Sequence, residues 1–171
     1  MTTGLLIGRY QPFHRGHLEV VKKILEERDM LILGIGSSQC SHTKENPFTG
    51  GERLSMIEGA LADEKIPLHR YMLIPIPDIN NNALWVAHVK AFCPSFDVVY
   101  TRNPLSKRLF EEAGVHVKEQ PLFDRHKYSG TLIREEMING GGWEALVPKG
   151  VTRVIKKIGG VERLKSVIGS D

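Results

Sequence analysis

The chain has 171 residues, 41% of them hydrophobic and 25% charged, the ordinary balance of a soluble globular chain long enough to bury a sizeable core as one domain. Lys and Arg number 23 against 20 Asp and Glu, a formal charge of +3. With no Lys/Arg-rich block, this argues against nucleic acid as partner and leaves room for a local cationic cluster around a small anion.

The first apolar run, residues 5–7, reads as a strand that ends at Gly8. Arg9, Gln11, His14, Arg15 and His17 then crowd together as cationic or potentially cationic donors at the mouth of a helix starting near Arg15. In that helix Leu18, Val21 and Leu25 fall on one side, and Lys22, Lys23, Glu26 and Glu27 on the other. Residues 31–35 read as a second strand, followed by a polar loop over 38–47 and by Thr49 and Glu52 at capping-box spacing before a helix that continues through Leu61. A third strand spans 71–74, with a helix from about Asn81, and a fourth spans 98–100. Asn103 and Pro104 read as N-cap and first helical residue, with Gly114 as the stop, before a fifth strand at 115–117. Ser129 caps a helix to about Asn139, ended by the glycines at 140–142. From Pro148 onward two short helices are broken at Gly159 and Gly160.

Strands apolar on both faces, alternating with helices, predict an α/β fold: a Rossmann-like, doubly wound parallel sheet of about five strands with helices on both faces. Residues 1–171 are read as a single domain with a short helical C-terminal part from about 148. In such folds ligands bind beyond the carboxyl ends of the strands. Cys40 and Cys93 lie far apart with no C-x-x-C spacing, which argues against a disulfide framework or zinc ribbon and fits free thiols in a reducing cytosol. The N-terminus lacks the pattern of a signal peptide, and no run of about 18 apolar residues occurs, so no membrane span and a cytoplasmic setting are expected.

The segment from Gly8 to His17 becomes the turn at a strand's carboxyl end and the first turn of a helix. A helix start offers unpaired N–H groups and a partial positive charge to a phosphate. His14 and His17, three apart, share one side of that turn, and Gly16 allows close approach of a ligand. There is no G-x-x-x-x-G-K-[ST], and "GIGSSQ" at 34–39 lacks the third glycine of a dinucleotide fingerprint. Any phosphate would therefore be held by histidine and arginine. A plain helix cap, and a two-histidine metal site short of a third ligand, stay open on spacing alone.

The stretch "GRYQPFHRGH" resembles the G-[RK]-[FM]-x-P-x-H-x-G-H signature of the nucleotidyltransferase superfamily, and "YSGTLIR", Tyr128 to Arg134, resembles its second signature, [IY]-S-[GST]-T-x-[IV]-R. They occur in the right order at opposite ends of the α/β region. Within the superfamily the chain resembles the archaeal-type nicotinamide-nucleotide adenylyltransferases over nearly its whole length, through "IGSSQCSHTKENPFTGGER", "PDINNNALW", "RNPL", "PLFDRHKYSGT" and "GVERLK".

The resemblance implies that the 5′-phosphate of nicotinamide mononucleotide attacks the α-phosphorus of ATP, giving NAD and pyrophosphate, with Mg²⁺ on the ATP phosphates and no protein ligand to it. It implies that His14, His17 and Arg134 are catalytic, with His17 nearest the α-phosphate, and that Gly8, Arg9, Gln11, Asn103, Ser129 and Thr131 complete the ATP side. It places Trp85 on the pyridinium ring, Asp78 and Asn82 on the carboxamide, and Phe123 and Tyr128 as closing residues of that same acceptor pocket. Homo-oligomers, often hexamers, are usual in the family. His42 and Lys44 in the polar loop could reach phosphate, although a solvated loop is the plainer reading. Thr101 and Arg102 stand where related chains carry a small Ser-Gly pair, so Arg102 must turn away from the nucleotide or make its own contact. The competing readings are a transferase for another phosphate acceptor, a nucleotide sensor without turnover and a histidine-ligated metal protein.

Overall fold

The computed structural model describes residues 1–169. Among them, five strands form one parallel sheet: β1 (Thr3–Gly8), β2 (Met30–Ile35), β3 (Tyr71–Pro75), β4 (Val98–Thr101) and β5 (Val117–Glu119), in the order β3-β2-β1-β4-β5. The chain runs outward from β1 to β3, then crosses back to place β4 beside β1. The strand order thus reverses between β1 and β4, and the loops leaving their carboxyl ends part there to open a crevice.

The sheet is buried on both faces because successive side chains alternate across it. Leu6, Leu31, Leu33 and Tyr100 point into one core; Leu5, Ile32 and Val99 point into the other. The first face is covered by α1 (Arg15–Glu27), α2 (Gly50–Asp63), α5 (Gly130–Asn139), α6 (Lys149–Lys157) and α7 (Gly160–Val167). The second is covered by α3 (Asn82–Phe92) and α4 (Pro104–Glu112). The expected doubly wound sheet is therefore present.

The first and last strands shift most from the expected ranges, the others by one residue at one end. β1 gains residues at both ends, reaching Thr3 and Gly8. The fifth strand begins at Val117 rather than Val115, because Gly114 takes φ +74° and the Val115 N–H closes α4 on the Phe110 carbonyl at 2.9 Å. A residue that finishes a helix cannot also join the sheet. The C-terminal helices fold back onto the first face. α6 crosses α2 where Gly150 meets Gly59: a Cβ on Gly150 would lie 2.4 Å from the Gly59 carbonyl carbon, so only glycine fits the crossing. α7 is fastened by Arg163, whose guanidinium donates to both oxygens of Glu52, at 2.7 and 2.8 Å, and to the Pro47 carbonyl. No helix among the described residues is long and apolar enough to cross a membrane. Cys40 and Cys93 are free thiols.

Candidate active site

The crevice collects three helix starts. His14 caps α1, Asn103 caps α4 and Ser129 caps α5, and residues of all three line one cavity of about 590 Å³. Unpaired N–H groups and the positive ends of three helix dipoles therefore face a common space.

α1 opens on a reciprocal cap. The His17 N–H donates to His14 Nδ1 at 3.3 Å, and the His14 N–H donates to His17 Nδ1 at 3.1 Å. The two rings stack with centroids 3.5 Å apart. Phe13, fully buried, stacks on His17, and the edge of Tyr10 closes the other side. Because each Nδ1 accepts a hydrogen bond, the single proton of each neutral ring sits on Nε2. Burial pushes the His14 pKa down to about 4. Burial, and then the neighbouring His14, push His17 well below its ordinary value. Of the cationic or potentially cationic donors expected in this turn, the two histidines are thus uncharged N–H donors near neutral pH.

Fixed positive charge comes from arginine. Half-buried Arg134 donates to the Gln11 carbonyl at 2.8 Å and to Thr131 Oγ1 at 3.4 Å. Its pKa is lowered by burial and by the charge of nearby Arg9. Two guanidinium groups face one space of about 190 Å³ together with His14, His17 and Thr131, with no acidic side chain lining it. Such a constellation is electrostatically incomplete until an anion enters.

Gln11 plays a different part from the one expected. Both ends of its amide are engaged by the Phe48 backbone, at 2.9 and 3.0 Å, so its side chain braces the turn. Ser129 Oγ accepts from the Leu132 N–H at 3.1 Å and retains its own proton to donate. Asn103 Oδ1 accepts from the Ser106 N–H at 2.9 Å, which leaves the NH₂ end available. Arg102 turns along the end of β5, pairing with Glu119 at 2.9 Å and donating to the Gln120 carbonyl at 3.2 Å, on the wall of the larger cavity.

A third space of about 250 Å³ adjoins the other side of Arg9 and contains Gly8, Gly36, Ser37, Asp78 and Trp85. Trp85 is held edge-on by Phe110 at 5.2 Å. Asp78 is gripped at two points by Gln39: Gln39 Nε2 donates to Asp78 Oδ2 at 3.2 Å, and the Asp78 N–H donates to Gln39 Oε1 at 3.0 Å. Asn82 opens onto an adjoining depression that also touches Asp78 and Trp85. Phe123 and Tyr128, expected with them, lie elsewhere. They stack on each other at 5.7 Å and line the larger cavity beside His14. His42 and Lys44 line none of these three spaces.

Gln39 and Arg53 were not singled out by sequence reasoning. Arg53 carried a readable signal, since it shares the apolar stripe of α2 with Met56, Ile57 and Ala60 at helical spacing.

Among the described residues no three His, Cys, Asp or Glu converge as a metal site. Arg9, His14, His17, Thr131 and Arg134 around the smallest space offer N–H and O–H donors, which suit an oxyanion rather than a cation.

The chain matches the cytidylyltransferase-like family over residues 5–136. It is 52% identical to a nicotinamide-nucleotide adenylyltransferase of Thermoplasma volcanium, over 97% of this chain and 92% of the relative. It is 53% identical to one of Methanosarcina barkeri, over 100% of this chain and 97% of that one. Among solved structures, a bifunctional NMN adenylyltransferase/ADP ribose pyrophosphatase from Francisella tularensis shares the fold with a TM-score of 0.75 at 21% identity, over 96% of this chain and 52% of that one. The chain thus spans about half of that bifunctional protein.

Proposed function

The chain belongs to the cytidylyltransferase-like family, among its nicotinamide-nucleotide adenylyltransferases, and from that membership we propose that it joins ATP and nicotinamide mononucleotide into NAD and pyrophosphate. The observation that carries the reading is the pair of mutually capping histidines, each with Nε2 left free by the cap, beside Arg9 and Arg134.

A phosphate monoester is already nucleophilic near neutral pH, so the site needs no general base. One oxygen of the mononucleotide 5′-phosphate forms a bond to the α-phosphorus. The bond from that phosphorus to the bridging oxygen breaks, and pyrophosphate leaves with the electron pair. Negative charge grows on the α-phosphate and on the leaving group. His14 and His17 Nε2–H donate to those oxygens, with His17 on the α-phosphate, and the two arginines supply charge. Neutral imidazoles suit this task because each still donates its Nε2–H, a proton too weakly acidic to pass to a phosphate oxygen.

The larger cavity holds adenosine against Tyr128 and Phe123, with Asn103, Ser129 and Thr131 at its edge. The smaller space holds the phosphates. Asp78 and Trp85 hold the nicotinamide, with Asn82 at the rim and Gly8 letting the nucleotide approach the backbone. Mg²⁺ would accompany ATP and add positive charge at its phosphates, without a protein ligand. A homo-oligomer goes with this reading through the family resemblance, and a cytoplasmic setting goes with it through the free thiols of Cys40 and Cys93.

Formation of NAD from ATP, Mg²⁺ and nicotinamide mononucleotide tests it, with nicotinate mononucleotide as a second acceptor and His17→Ala beside the unmodified protein. NAD formation that collapses in the variant is expected. A folded protein that binds ATP and turns over neither acceptor would overturn the reading in favour of another acceptor or a sensor.

A further inference from the structure

Arg53, the fourth residue of α2, has no exposed surface. Its Nε donates to the Thr49 carbonyl at 3.1 Å. Nη1 donates to the carbonyls of Arg9 at 2.8 Å and Gly36 at 2.9 Å. Nη2 donates to those of Ser37 at 3.1 Å and Cys40 at 3.3 Å. Every partner is a backbone carbonyl, and none is a carboxylate. Burying a guanidinium without an anion is costly, and that cost lowers its pKa from the ordinary value.

The carbonyls it gathers are not random. Arg9 lies just past the end of β1, and Gly36, Ser37 and Cys40 lie just past the end of β2. Past the sheet ladder, the backbone joins these two segments to each other through the Gly36 N–H and the Gly8 carbonyl at 2.9 Å, while the Ser38 N–H reaches the Ile76 carbonyl beyond β3 at 3.2 Å. The first carries the Arg9 side chain into the phosphate space. The second provides Gly36 and Ser37 as a wall of the Trp85 cavity and, through Gln39, grips Asp78. One planar fork thus ties the segment that meets ATP phosphate to the segment that shapes the acceptor pocket. A lysine ammonium carries the charge but cannot span carbonyls on both loops with the same fixed geometry.

We propose that Arg53 is a positioning residue of the transferase: it holds the β1 and β2 loops in register so that the acceptor phosphate and the α-phosphorus meet in line. This rests on the adenylyltransferase reading above. In-line attack is sensitive to placement, and an error near 1 Å costs about a hundredfold in rate.

The test is steady-state kinetics of Arg53→Lys, and of Arg53→Ala with and without methylguanidinium, beside the unmodified protein, with folding followed by circular dichroism. Arg53→Lys is expected to fold and to lose about ten- to a hundredfold in kcat, with smaller changes in KM for either substrate. Methylguanidinium is expected to restore at least part of the Arg53→Ala loss. A folded Arg53→Lys with kcat and both KM values within about twofold of the unmodified protein, or two variants that fail to fold, would overturn the proposal and leave Arg53 as a residue of the fold alone. No NAD from the unmodified protein would instead sink the adenylyltransferase reading, so the two failures are distinguishable.

Discussion

His14 and His17 cap one helix for each other: each ring nitrogen Nδ1 accepts the partner's backbone N–H, and the imidazoles lie 3.5 Å apart. The contact gives both residues two linked duties. The cap uses Nδ1 and leaves Nε2–H for a ligand, so the same bonds that start α1 set the tautomer the proposed chemistry uses. Because the rings are buried, protonation would break the cap and strand a charge.

A pH dependence of stability follows. An unfolded histidine titrates near 6.5, whereas His14 in the fold titrates at about 4. Between these values the unfolded chain binds a proton that the folded chain refuses. The His14 contribution is therefore fully present above pH 6.5 and is lost as pH falls toward 4, by up to about 3 kcal/mol; His17 shifts in the same direction. Urea unfolding at pH 7.5, 5.5 and 4.5 should show stability declining across this window, and His14→Gln should flatten the decline. An unchanged slope in the variant would contradict the assignment.

Capping and catalysis can be separated at His17. Glutamine at the third helical position can accept the cap's N–H as an ordinary capping box does, but it does not place an Nε2–H where imidazole does. His17→Gln should therefore unfold within about 1 kcal/mol of the unmodified protein while losing about a hundredfold or more in kcat. Equal losses of stability and rate would show that the ring matters only to the helix.

The two aromatic sites should answer to different substrates. In the proposed arrangement, Trp85→Ala removes a ring beneath the pyridinium and raises KM for nicotinamide mononucleotide about ten- to thirtyfold, the size of a desolvated cation–π contact, with KM for ATP nearly unchanged. Tyr128→Ala, in the larger cavity, should do the reverse. Paired kinetics of the two variants check this, and a Tyr128→Ala effect confined to the mononucleotide would return that residue to the acceptor pocket.

Arg163 should anchor the C-terminal helix. Its side chain and that of Glu52 are 18% and 19% exposed, sheltered enough for a two-bond pair to matter. Arg163 holds the Glu52 carboxyl below its ordinary value, and Glu52 also caps α2 through the Thr49 N–H at 2.8 Å. Arg163→Ala should cost about 2 kcal/mol, a drop of roughly 4–8 °C in Tm for a chain this size. Arg163→Lys should recover part of it. Calorimetry of the two variants provides the check.

Much of this was legible in the sequence, where the physics is local. Strand ends at Gly8 and Ile35, the caps at Thr49, Asn103 and Ser129, and the left-handed stop at Gly140 follow from side chains acting within a few residues of themselves. The alternation of elements implied the doubly wound sheet, and two short signatures pointed to phosphate chemistry at its crevice. Tertiary structure decided what depends on partners far along the chain. Burial lowers the pKa of both histidines, His17 beneath Phe13 and Tyr10 and His14 between His17 and Tyr128. Phe48, 37 residues away, engages the Gln11 amide. Phe123 and Tyr128 face the larger cavity because α5 starts beside His14 rather than beside Trp85. Arg53, whose place in an apolar helical stripe signals burial alone, becomes the tie between two loops only once parallel strands bring their ends together. Spacing along the chain specifies which groups a helix or strand presents, but charge state and contact depend on what else arrives in the same space.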